Sequence, residues 1–75
     1  MKELIEYMAR SLAGDPDAVV VTESMEDGRI VFRLQVADED KGKVIGRQGR
    51  VAQAMRTLLR VAAVKDGSQA VLEIV

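Results

Sequence analysis

Residues 43–50 read Lys43–Val44–Ile45–Gly46–Arg47–Gln48–Gly49–Arg50, and the chemistry they offer is the holding of an anion. Two glycines three apart let a backbone turn tightly and approach a ligand closely. If the segment from Arg50 is a helix, its first N–H groups point into that turn and favour negative charge. Arg47, Gln48 and Arg50 add basic and amide groups around it. The expected product is a clamp for a phosphate. With glycine at roughly 7% of residues, such a G-x-x-G arises by chance in about a third of chains this long. Its meaning therefore depends on what surrounds it.

Other chemistries find little to work with. The chain has 75 residues and neither Cys nor His, which removes disulfides, zinc-finger sites and the usual catalytic bases and nucleophiles. Gly42, Gly46 and Gly49 satisfy neither the P-loop nor the dinucleotide fingerprint. Asp38–Glu39–Asp40 lacks the spacing of a calcium loop and is expected to cap the helix it precedes. No enzyme activity, metal site or cofactor is expected.

Charge is strongly polarised behind a net of −1. Residues 1–40 carry four basic and ten acidic side chains, a net of −6. Residues 41–65 carry seven basic ones and no acid, a net of +7, and Asp66 and Glu73 complete the sum. One face is thus built for a polyanion. Charges interrupt Met1–Leu12, so no signal peptide is read there, and no apolar run approaches the ~20 residues of a membrane span. The expected location is the cytoplasm.

The elements that must hold this turn can be read from periodicity. Glu3–Ala13 places Leu4, Ile5, Met8 and Leu12 on one helical stripe, with Gly14 as its cap and Pro16 as its stop. Ala18–Met25 reads as a strand, Asp27–Gly28 as a two-residue hairpin turn, and Arg29–Val36 as a strand with Phe32 inward. A short helix over Glu39–Ile45 follows. After the glycines, Val51, Met55, Leu58, Leu59 and Ala62 mark a long helix with Arg50, Gln53, Arg56, Thr57 and Arg60 on its other surface. Asp66–Gly67 ends it, and Ala70–Val75 alternates as a last strand. The two-helix crossover should return this strand parallel to the second, right-handed. The fold class is α+β, αββααβ, with three helices on one face of a mixed three-stranded sheet. One domain spans residues 1–75.

This order, with V-I-G-R-Q-G-R at Val44–Arg50 followed by Ala52 and Arg56–Leu59, resembles a type II KH domain. Length makes the chain similar to the KhpA family of single-KH bacterial RNA-binding proteins, over essentially all of its residues. The resemblance implies single-stranded RNA as ligand, about four nucleotides held with their backbone at the glycine loop. It assigns Gly46 and Gly49 to shaping the loop and Arg47 and Gln48 to phosphates. It sets Val44 and Ile45 beneath the bases. It also implies a homodimer, or pairing with another KH-containing protein, and a role as RNA chaperone or post-transcriptional regulator.

The residues themselves lead to a similar expectation. Arg50, Arg56 and Arg60 are candidate outer contacts, while Lys41 and Lys43 add positive field. About three neutralised phosphates give a salt slope near −2. Tyr7 and Phe32 are the only aromatics, so base stacking is scarce. The alternative is a protein–protein adaptor that keeps the fold without binding RNA, using an apolar outer sheet face at Val31, Val71 and Val75.

Overall fold

Asp27 and Gly28 both take left-handed backbone (φ 53° and 75°), the geometry a two-residue hairpin demands. They join β1 (Val20–Glu26) to β2 (Arg29–Gln35) in the computed structural model, which describes all residues 1–75. The pairing is antiparallel, with Val21 opposite Leu34 and Glu23 opposite Phe32. Helix α1 (Lys2–Leu12) precedes the hairpin. Helices α2 (Lys41–Ile45) and α3 (Arg50–Lys65) follow it and return the chain to β3 (Ala70–Ile74). β3 lies parallel to β2, and the sheet order β1-β2-β3 leaves β3 with one open edge.

The three helices cover one sheet face. Ile5 and Ala9 of α1, Val44 of α2 and Met55 and Leu59 of α3 meet Val21, Phe32, Leu34 and Leu72 in one buried cluster. This is the expected fold. Its details depart from the periodic reading in four places, each with a cause.

In α1, Ala9 is fully buried and Leu12 is 41% exposed, because the helix ends at Leu12 and the chain leaves extended from Ala13. Gly14 is not a left-handed cap; the Ala13 N–H closes the helix on Ala9 O (2.9 Å). Residues Pro16–Ala18 form a 3-10 turn, so β1 starts at Val20.

In α3, the buried residues are Ala52, Met55, Leu59 and Ala63. Small Ala52 and Ala63 let the helix roll close to the sheet, which turns Leu58 out to 49% exposure. The exposed surface of α3 then divides in two. Gln53, Arg56 and Arg60 form a basic strip toward β3, while Ala54, Leu58 and Val61 form an apolar strip facing away from the sheet, and Val64 lies beside Arg60 near Ser68 and Ala70.

The acidic triplet folds as a 3-10 turn, and no side chain caps α2. Asp40 instead turns inward, 1% exposed, and serves the loop after α1.

The outer sheet face is polar around Val31, where an apolar patch was expected, while Val75 (50% exposed) and Val20 (47%) stay apolar and open at its far end. Arg33 bonds Glu73 on β3 and Glu26 on β1, both at 2.9 Å, reaching across Ser24. Ser24 is the cross-strand neighbour of Val31, which is only 4% exposed beside this network.

Candidate nucleic-acid interface

The glycine turn departs from helical geometry at three residues. Gly46 has φ 78° and ψ 171°, Gln48 φ 57° and Gly49 φ 73°, and Arg47–Gly49 make one 3-10 turn between α2 and α3. Three hydrogen bonds hold it: Gly46 N–H donates to Gly42 O (2.8 Å), Gly49 N–H to Gly46 O (3.1 Å) and Arg50 N–H to Arg47 O. A β-carbon on Gly46 would lie 2.9 Å from the Val51 amide nitrogen, so only glycine fits. Gly49 has open space, and its requirement is conformational.

Arg47 and Gln48 project from this turn with exposed side chains. Arg50 donates to Gln48 Oε1 at 3.3 Å and steadies it. No side chain caps the 16-residue α3, so the positive end of its dipole faces the turn unneutralised. Arg47, Arg50 and Arg60 meet no carboxylate within 4 Å, whereas Lys41 pairs with Asp38 and Lys43 with Asp40, each at 3.4 Å. Lys2, Arg29 and Lys65 are also unpaired, but the loop and one strip of α3 hold the unpaired arginines nearest the turn.

Val44 and Ile45 have different fates. Val44 is wholly buried, packed into the core beneath the loop, and has no surface to offer a base. Ile45, 39% exposed, does.

Past the loop, a hollow of about 180 Å3 runs between α3 and β3, lined by Arg56, Leu59, Arg60, Ala70, Val71 and Leu72. Arg56 lies about 9 Å along the helix from Arg50 by its rise per residue. Gln69 O and Val75 N–H bond across to β2, so by strand parity Ala70, Leu72 and Ile74 turn their amide groups to the open edge. Arg56 Nε already donates to Leu72 O at 3.4 Å. This edge was invisible to periodicity, which reports a strand's faces but not which side of it is unpaired. The largest hollow, about 470 Å3, is lined only by α1 residues, Glu3 and Glu6 among them, and shares nothing with the loop.

The KhpA/KhpB KH-domain family model matches residues 2–74. This chain belongs to the KhpA/KhpB KH-domain family. Over all 75 residues it is 49% identical to the whole of the RNA-binding protein KhpA of Clostridium acetobutylicum. It is 47% identical over 74 residues to that of Treponema pallidum, spanning 99% of this chain and 92% of the relative. The RNA-binding protein KhpA of Aquifex aeolicus is 42% identical over 74 residues, spanning 99% and 94%. Among solved structures, the fold is similar to part of Era in a complex with MgGDPNP and nucleotides 1506–1542 of 16S ribosomal RNA. That likeness has a TM-score of 0.64 at 19% identity and covers 97% of this chain and 28% of the longer Era chain.

No helix is long and apolar enough to cross a membrane, and no cluster of acidic side chains could hold a metal ion.

Proposed function

We propose that residues 1–75 act as one KH domain that binds single-stranded RNA through Gly46–Arg47–Gln48–Gly49. One observation carries this: the exposed Arg47 and Gln48 stand between two left-handed glycines at the uncapped start of α3. The positive end of the α3 dipole and the unpaired guanidiniums of Arg47 and Arg50 favour a phosphate there. The names of the relatives above support the same ligand.

In this reading Arg47, Gln48 and Arg50 take the phosphates. Bases then lie over Ile45 and along the hollow between Arg56 and the β3 edge. Stacking, worth ~1–3 kcal/mol per base where an aromatic is present, is missing from that path: Phe32 is 1% exposed and Tyr7 sits on α1. Binding is thus dominated by charge and tolerant of sequence, as suits an RNA chaperone or post-transcriptional regulator in the cytoplasm. The chain works as a binding module and catalyses no reaction.

The apolar strip on α3 supports a partner as well. Leu58 and Val61 are 49% and 51% exposed on one side of a helix, beside exposed Ala54, an apolar surface that a second chain can cover. A second copy, or another KH-containing protein, pairs there by apposing α3 helices about a two-fold axis. The loop lies at the start of α3 and stays open in such a pair.

The test replaces Arg47 and Gln48 with Asp while keeping both glycines. RNA retention should be lost with thermal unfolding unchanged, because both side chains are exposed. Full retention would leave a protein adaptor acting through the α3 strip as the better reading.

A further inference from the structure

α2 is only five residues long, and Val44 is the one residue it commits to the core. A single apolar anchor does not fix a short helix against rotation about that point. The loop nevertheless depends on how α2 is oriented, since Gly46 follows directly from its last turn. A second fixed point is needed, and the structure contains one.

Asp40, immediately before α2, is the only buried charged residue in the chain. Its carboxylate accepts the Asp15 N–H at 3.0 Å through Oδ2 and the Gly14 N–H at 3.1 Å through Oδ1. The Lys43 ammonium lies 3.4 Å from the same Oδ1. A buried carboxylate persists only when it is paired and hydrogen-bonded, and three donors meet that condition here. The space is close-fitting. A β-carbon on Gly14 would meet Lys43 Nζ at 3.1 Å and Asp40 Oδ1 at 3.3 Å. Gly14 has no conformational need to be glycine, so its missing side chain serves this contact.

We propose that Asp40 is the positioning residue of the glycine loop, bolting the N-terminus of α2 to the Gly14–Asp15 turn at the end of α1. Two points, Val44 and Asp40, then define the axis of α2 and the position of Gly46. Lys43 belongs to this bolt before it belongs to the phosphate site. For its ligand the inference rests on the RNA reading above; for its mechanics it does not.

The experiment follows amide hydrogen exchange in the free full chain for the parent, Asp40→Asn, Gly14→Ala and Lys43→Met, well below their unfolding temperatures. Gly46 and Gly49 N–H are bonded inside the loop (2.8 and 3.1 Å) and report its order. A positioning role predicts that these two amides exchange at least about fivefold faster, beyond any change at Leu34 or Leu59, because local opening is separate from global unfolding. A merely structural Asp40 would lower protection everywhere by one common factor, and that result overturns the proposal. If Asp40→Asn does not fold, Gly14→Ala, which leaves every charge in place, decides the question alone.

A second arm measures binding of a single-stranded oligouridine RNA against salt. The slope should become shallower by about 0.7 in Gly14→Ala, the equivalent of one phosphate contact. An unchanged slope in a variant whose loop amides are also unchanged overturns the inference. A parent that fails to bind the oligonucleotide overturns the RNA reading and leaves the exchange result to judge Asp40.

Discussion

Gly46 lies so close beneath Val51 that a β-carbon on the glycine would stand 2.8 Å from the β-carbon of the valine. The first turn of α3 is thereby pressed against the end of α2, and the loop between them is forced outward. Gly46→Ala meets both this contact and an unfavourable φ of 78°, whereas Gly49→Ala meets only an unfavourable φ of 73°. Gly46→Ala should therefore cost about 3 kcal/mol or more and Gly49→Ala about 1–2 kcal/mol in urea unfolding. Equal costs would mean that the Val51 contact relaxes freely.

Val44 and Ile45 are neighbours in sequence with opposite duties. Val44→Ala removes a fully buried side chain and should cost about 2 kcal/mol of stability. Ile45→Ala, at a 39% exposed site, should cost under about 1 kcal/mol and weaken RNA binding instead. Comparing denaturant midpoints with RNA retention for the two variants checks this split.

Acid should destabilise the protein through Asp40 and Glu26, with a terminal contribution from Glu3, which its own backbone N–H and then the N-terminal ammonium hold low. The Asp15 and Gly14 N–H groups, with Lys43 beside them, hold the Asp40 carboxyl below the usual carboxylate range. Hydrogen bonds from Arg33 first and Ser24 second do the same for Glu26. In each case the native state binds a proton less readily than the unfolded chain. Their stabilisation is complete above the ordinary carboxylate values and fades as pH falls through the depressed ones. Thermal unfolding across the acid range should show a falling Tm that Asp40→Asn flattens. Because Glu26 is exposed, added salt should reduce its share and spare that of Asp40.

The apolar strip of α3 gives a separate test. Val61→Asp places a charge on it and should convert a self-associated species to monomer by sedimentation. Monomer stability should change by no more than about 0.5 kcal/mol, because Val61 is half-exposed in the single chain. A parent that sediments as a monomer at every concentration would remove the strip from the account.

Much of this was legible in the sequence where one signal dominated. Asp27–Gly28 allows few turns, Phe32 and Leu34 alternate cleanly, and glycines flanking Arg47–Gln48 leave that pair little choice but exposure. Elsewhere two signals competed. On α3, Leu58 outranks Ala52 and Ala63 by hydrophobicity, yet close packing against the sheet favours the small residues. A helix carrying Val51, Leu58, Val61 and Val64 as well as Met55 and Leu59 is apolar around too much of its circumference for one interface, and that excess was the available warning. For Asp40 no local signal existed. Its partners lie 25 and 26 residues away and are backbone amides, which carry no sequence mark.

The most direct test of the central claim is the salt dependence of single-stranded RNA binding, measured side by side for the parent and Arg47→Ala. Three phosphates held near the loop and the α3 basic strip predict a slope of about −2 for the parent, a loss of roughly ten- to twentyfold over a fourfold rise in salt. Arg47→Ala should be shallower by about 0.7 with an unchanged unfolding midpoint. A parent slope near zero, or identical slopes for the two proteins, would contradict a phosphate grip at this loop.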